Sequence, residues 1–152
     1  GIMTGGQMAA MMAAGAQGAW CGSVWLCTPE AETSPAFRQK MIEARSRDTV
    51  RSKARTGKPA RQPKTAWHEA WDDPEGPGTL PMPLMGMVSE PSFAHIEKAV
   101  VNGNEQARDL VSYFVGQGVG LVEAERSCRQ VVQDFREEFA EAVMGLTATL
   151  GD

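Results

Sequence analysis

Cysteine is scarce here: Cys21, Cys27 and Cys128 are the only three, and no C-x-x-C pair occurs. An odd number at these spacings excludes a disulfide framework and offers no zinc pattern, so a reducing, cytoplasmic setting is expected. The two histidines, His68 and His95, stand far from each other, and no metal-ligand spacing appears anywhere in the chain. Long hydrophobic runs are missing too. No stretch of about 18 apolar residues escapes polar interruption, so no membrane-spanning helix is expected. Charge is absent from Gly1 to Pro29, yet that stretch has neither the basic leader nor the Leu-rich middle of a secretory signal. Its Gly, Ala and Met residues, with Gln7 and Gln17, read as protein interior.

What is present is ordinary for a folded domain. With 152 residues, 42% hydrophobic and 22% charged, the chain can bury a core, and a disordered or fibrous class is excluded. The charge lies in blocks. Ten basic residues and two acids (Glu43 and Asp48) fall between Arg38 and Lys64, whereas five basic residues and fifteen acids follow from Thr65 onward. A basic segment of this kind can engage an anionic partner. Only Phe37 stands beside it as an aromatic, so the interleaved stacking residues of a single-strand binder are missing, and no nucleic acid is expected. Pairing with the acidic remainder of the same protein is the favoured reading.

Local signals give the organisation. Thr4 caps an Ala/Met helix with Met8, Met11, Met12 and Ala16 at helical spacing, and Gly15 supplies its left-handed end. Gly18 to Ser23 reads as a buried strand bracketed by glycines, turning at Val24-Trp25-Leu26 into another helix. Ser34-Pro35 starts a helix through about Ser46, with Phe37, Met41 and Ile42 as its inner face. A strand is expected from Asp48 to Ala54, then a turn at Thr56-Gly57-Lys58-Pro59, then a short helix from Thr65 to Asp72 with Trp67 and Trp71 on one face. Helices are expected over Pro91–Val101 and Ala107–Phe114, a break at Gly116–Gly120, and a long helix from Ser127 to Leu146. That last helix carries the stripe Val131, Val132, Phe135, Phe139 and Val143. Helix–strand alternation at the start suggests parallel α/β architecture. Only one convincing core strand is present, however, so Gly1–Thr28 is expected to be the tail of a larger barrel or sheet.

Two small-residue bends, Gly1-Ile2 and Gly22-Ser23, are separated by one helix and one expected strand. In (β/α)8 barrels a phosphate commonly sits between the last two strand–helix loops. That site needs amide N–H groups aimed at the anion, glycine for close approach and a helix dipole behind. Gly22-Ser23 fits one half of such a grip and Gly1 the other, with the Ser23 hydroxyl as a further donor. Glycine at a strand-to-helix turn is also ordinary packing. Other features take structural readings: Trp67 and Trp71 as packing anchors, Cys21 as interior, the Met8/Met11/Met12 cluster as packing against a barrel wall that this chain lacks, and Glu137, Glu138 and Glu141 as a solvated face.

The run Thr4-Gly5-Gly6-Gln7, an Ala-rich helix, then Gly15 to Ser23 resembles the last βαβ unit of FMN-dependent barrels. Downstream stand Thr56-Gly57-Lys58-Pro59-Ala60-Arg61, Ala66-Trp67-His68-Glu69-Ala70-Trp71, Leu80-Pro81-Met82-Pro83-Leu84 and Val115-Gly116-Gln117-Gly118-Val119-Gly120. With these the chain resembles nitronate monooxygenases over nearly its whole length. The resemblance implies the C-terminal fragment of an FMN-binding (β/α)8 TIM barrel, with residues 1–47 as its last β/α units and 48–152 as an α-rich cap subdomain. It implies FMN, a small-molecule nitronate and O2 as partners, giving a carbonyl compound and nitrite. Carried over, Gly1, Trp20, Cys21, Gly22 and Ser23 hold the FMN phosphate. The family's catalytic histidine precedes this region, so neither His68 nor His95 is assigned a catalytic role. The alternatives are another FMN barrel reductase, or a non-catalytic binding module using residues 38–64 for an anionic partner.

Overall fold

Helix α1 (Gly5–Ala13) begins where the Thr4 hydroxyl accepts the Gln7 amide proton at 3.1 Å. The Gln7 side chain reaches back to accept the Met3 amide proton at 2.8 Å, which ties the incoming chain to the first turn. The helix ends in a Schellman arrangement, with Gly15 at φ +104° as the sequence leads one to expect. The remaining elements of this computed structural model, which describes residues 1–151, are α2 (Pro35–Glu43), β1 (Thr49–Ser52), β2 (Ala60–Pro63), α3 (Ala66–Asp72), α4 (Leu84–Val101), α5 (Glu105–Arg108) and α6 (Cys128–Leu150). Among the described residues no helix is long and apolar enough to cross a membrane.

Ser34 and Ser127 cap α2 and α6 through the Phe37 and Gln130 amides, as their positions in the sequence indicate. Helix α2 stops at Glu43, short of the expected Ser46. Ala44 turns extended, and the Asp48 carboxylate accepts the Arg45 amide proton at 2.8 Å, closing a separate 3-10 turn. Phe37 and Met41 are buried, Ile42 half-buried. Strands β1 and β2 form an antiparallel hairpin with Arg51 opposite Arg61. Its tip needs Gly57: φ is +82°, and a Cβ there would strike the backbone of Leu80–Met82.

The structure departs from expectation at five places. Gly18–Ser23 is not a buried strand: no strand lies beside it among the described residues, and an unpaired apolar run cannot satisfy its backbone as a ladder does. Trp20 within it is 96% exposed, and Ser23–Cys27 winds into a 3-10 turn rather than an α-helix. The strand β2 was not expected at all. The α4 helix starts at Leu84, seven residues before the expected Pro91. Met85, Ser89 and Phe93 bury one face at i, i+4, i+8, which outweighs an exposed proline inside the helix. The helix expected over 107–114 stops at Arg108, because the following segment bonds to β2 instead. The Val115 amide donates to the Arg61 carbonyl at 3.0 Å, and the Ser112 hydroxyl to the Pro63 carbonyl at 3.2 Å.

The core joins Met3, Val24, Cys27, Phe37 and Met41 to Val111, Val115, Val119, Val122 and Val131. Its members come from both sides of residue 47. Helix α1 packs on α6, where the Glu138 carboxylate accepts the Gly5 amide proton at 2.6 Å, a negative charge at a helix start. Of the expected α6 stripe, Val131 is buried and Phe135 and Phe139 are half-buried, whereas Val132 and Val143 are exposed. Met11 and Met12 likewise face outward from α1.

Candidate functional site

The Gly22–Ser23 bend leaves hydrogen-bond donors open. The amide N–H groups of Gly22, Ser23 and Val24 find no acceptor among the described residues. Only a five-residue 3-10 turn stands behind them, so the helix dipole expected from the sequence is small and the amides themselves supply the positive potential. The Ser23 Oγ accepts the Gly116 amide proton at 2.8 Å, which leaves the hydroxyl proton available to another acceptor. Gly1 comes to the same place. A Cβ on Gly116 would lie 3.3 Å from the Gly1 nitrogen and 3.5 Å from Ser23 Oγ. The two bends foreseen in the sequence therefore meet, through a segment that the sequence reading did not assign to the site.

Gly22 and Ser23 line an open groove of about 390 Å³ with Leu26, Arg61, Tyr113 and Phe114. Trp20 and Cys21 line a different one, of about 500 Å³, with Met8, Trp25, Phe135 and Arg136. The five sequence-derived residues thus divide: Gly1, Gly22 and Ser23 are gathered, whereas Trp20 and Cys21 open to the other side. The Cys21 carbonyl accepts the Trp25 indole proton at 3.0 Å. Burial pushes the Cys21 thiol above its ordinary value, so Cys21 has no activated thiolate character.

A second polar centre is Arg55, 5% exposed. Its Nε and one terminal nitrogen donate to the two Glu90 carboxylate oxygens at 3.0 and 3.2 Å, and the other terminal nitrogen to the Ser112 carbonyl at 2.7 Å. The guanidinium lies 4.3, 5.0 and 5.2 Å from the ring centres of Phe93, Tyr113 and Phe114. The hub borders a cavity of about 640 Å³. The sequence offered no sign of it beyond one more arginine in a basic segment.

His68 is buried at the start of α3, its Nδ1 accepting the Thr65 amide proton at 3.1 Å. That bond places the ring proton on Nε2. Desolvation lowers its pKa, Asp72 opposes that, and Lys40 and Arg55 lower it further. Its Nε2 is buried and has no hydrogen-bond partner among the described residues. Trp67 and Trp71 pack with ring centres 5.6 Å apart and Trp67 lies 5.1 Å from Phe93, the packing expected of anchors. Three ion pairs, Arg38–Glu125, Arg55–Glu90 and Lys64–Glu69, tie the basic segment to the acidic remainder. Among the described residues no group of three His, Cys, Asp or Glu side chains is placed to hold a metal.

A family model described as nitronate monooxygenase matches residues 1–138. A Mycobacterium tuberculosis protein whose name, monooxygenase Rv1533, is itself provisional is 51% identical over 94% of this chain and 38% of its own length. A Bacillus subtilis protein named as a probable nitronate monooxygenase is 31% identical over 85% of this chain and 35% of its own. The chain therefore spans little more than a third of these relatives. Among solved structures, FabK from Thermotoga maritima superposes with a TM-score of 0.70 at 28% identity, covering 97% of this chain and 45% of that one. A nitroalkane oxidase from Streptomyces ansochromogenes gives 0.76 at 27% identity, covering 95% and 39%.

Proposed function

The chain belongs to the nitronate monooxygenase family, and from that premise we propose that it is the C-terminal part of an FMN-dependent oxidoreductase that oxidises alkyl nitronates with O2 to a carbonyl compound and nitrite. In this reading residues 1–47 are the last β/α units of a (β/α)8 barrel, residues 48–152 are its α-rich cap, and the enzyme works in the cytoplasm. The observation that carries it is the meeting of Gly1 with a bend whose three amide donors and serine hydroxyl have no other use for their protons. A phosphomonoester presents three acceptor oxygens and about two negative charges at neutral pH. Oriented amides and a hydroxyl are the donor set such a group requires. The fit is chemical as well as geometric: no carboxylate lines the groove beside Gly22 and Ser23.

The bound flavin would supply the redox chemistry. This chain's residues would hold its phosphate: Gly22, Ser23 and Val24 by amide N–H, Ser23 also by its hydroxyl, and Gly1 from the facing bend. Trp20 and Cys21, which resemblance adds to the clamp, would border it from the neighbouring groove. Fixing a distant phosphate positions the reacting ring without entering the chemistry, which is how remote binding energy serves catalysis. The base that takes the substrate's proton would come from outside this chain, since buried His68 faces Thr65 and His95 lies exposed on α4.

The test is to purify the full-length protein and desalt it. Retained FMN absorbance, with nitrite formed from an alkyl nitronate under air, is the expected result; a colourless protein that takes up no added FMN overturns the proposal. The likeness to FabK favours a second reading, another FMN barrel reductase. That reading predicts a yellow protein that consumes a reduced nicotinamide and leaves nitronate untouched.

A further inference from the structure

We propose that Gln62 and His68 jointly hold a buried water molecule between the β1–β2 hairpin and α3. The site lies apart from the groove at Gly22 and Ser23 and does not depend on the flavin reading.

Both side chains end in open hydrogen-bonding atoms where solvent cannot reach. Gln62 is 0% exposed and His68 1%. The Oε1 and Nε2 of Gln62 and the Nε2 of His68 have no partner among the described residues. The His68 Nε2 is a donor, because Nδ1 already accepts the Thr65 amide proton. Atoms left bare at this depth lose their hydration and gain nothing. Buried polar groups are therefore answered almost everywhere in folded proteins, by protein or by an ordered water.

The strand register brings the two side chains to one place. Gln62 stands opposite Val50 and Ala60 opposite Ser52, so these four share one face of the hairpin. Helix α3 covers that face, since the Ser52 hydroxyl donates to the Asp72 carboxylate at 3.0 Å. His68 is one turn before Asp72, on the same side of α3. Only Pro63 and Lys64 separate Gln62 from the Thr65 cap, which sets the carboxamide at the His68 end of the helix.

The surroundings select the guest. The charges that bear on His68 are those of Asp72, Lys40 and Arg55. Each is already engaged: Asp72 by Ser52, Lys40 by the Asp109 and Val111 carbonyls at 2.7 and 2.9 Å, and Arg55 by Glu90. A cation would meet two like charges and the His68 N–H; an anion would meet Asp72 and the Gln62 carbonyl oxygen. A neutral molecule that accepts from His68 and donates to Gln62 answers both, and water is small enough to be enclosed here. Thr65, His68, the water and Gln62 then form one chain of hydrogen bonds that ties the hairpin to the first turn of α3.

A crystal structure of the full-length protein tests this directly. The expected result is a density peak about 2.7–3.2 Å from both His68 Nε2 and the Gln62 carboxamide. No peak there, a Gln62 side chain turned to bond His68 itself, or a peak with anomalous signal after a bromide soak overturns the inference. Gln62→Met keeps the side-chain length and should lose the peak; a peak of unchanged height in that variant overturns the inference too. In thermal unfolding of the full-length chain, Gln62→Met and His68→Phe should each lower Tm by roughly 2 °C or more, and the double variant no further than the worse single. Full additivity means that no bridge couples the two residues and overturns the inference. If a variant fails to fold, the wild-type density decides.

Discussion

The Arg55 hub and the Gly22–Ser23 bend are both concentrations of hydrogen-bond donors, and they differ in what answers them. Arg55 lies under three aromatic rings with its guanidinium bound to Glu90 and to the Ser112 carbonyl. Trp67 and Ser89 complete the centre by donating to the neighbouring Ala54 and Arg55 carbonyls. The bend is half-exposed, its three amides have no partner among the described residues, and its one fixed bond serves to orient Ser23. Satisfied donors in a low-dielectric setting act as struts, whereas open donors on a fixed backbone are poised for a ligand. A basic side chain is the more conspicuous feature in a sequence, yet here it is the quieter run of glycine and serine that keeps its donors open.

The sharpest way to break that contrast is Gly22→Val. Gly22 has φ −119° and nothing within 4 Å of an added Cβ, so the variant should fold with a Tm within about 2 °C of wild type. Its branched side chain would stand in the groove, and the full-length protein should lose its flavin on desalting. Unchanged flavin occupancy would place the anion elsewhere. The converse change is Arg55→Ala, expected to cost about 3 kcal/mol in denaturant unfolding, through the buried volume lost and the Ser112 carbonyl left unpaired. Folded Arg55→Ala protein should keep its preference for FMN over riboflavin; loss of that preference would make the hub part of the site.

The smallest effect concerns pH. Folded His68 binds its proton less readily than an unfolded histidine, because burial opposes the charge. As pH drops below about 6.5 the unfolded chain takes up more protons than the folded one, so stability is full above that pH and declines beneath it. Comparing Tm at pH 7.5 and 5.5 should show a drop that His68→Gln reduces. An identical drop in the variant would remove His68 as the cause.

Local signals were readable because their causes are local. Thr4, Ser34 and Ser127 cap the helices they precede, and Gly15 and Gly57 take positive φ where turns were foreseen. Trp67 and Trp71 share a face because helical spacing alone dictates it. What stayed hidden depends on distant partners. The run Gly18–Ser23 carries a strand's composition, but strand geometry requires a neighbour to bond with. Residues 107–114 look helical by pattern, yet the Ser112 hydroxyl and the Val115 amide bond to β2 about 50 positions earlier. Pro91 reads as a start signal, and only the burial of Met85, Ser89 and Phe93 carries the helix through it. For the candidate site, Gly1, Gly22 and Ser23 were legible as small residues at bends. Gly116 carried a usable signal in its alternation with Gly118 and Gly120, since glycine at every second position marks close backbone approach.

The carboxylate of Glu138 at the first turn of α1 has a bearing on biosynthesis. It joins positions 133 residues apart, and the Gly116–Ser23 bond spans another 93. Closing loops of that size is entropically slow, and neither contact can form on a ribosome until the distal partner has left the exit tunnel. The front of this segment must therefore wait for residues about 90 and 130 positions downstream before its turn and its first helix are held in shape.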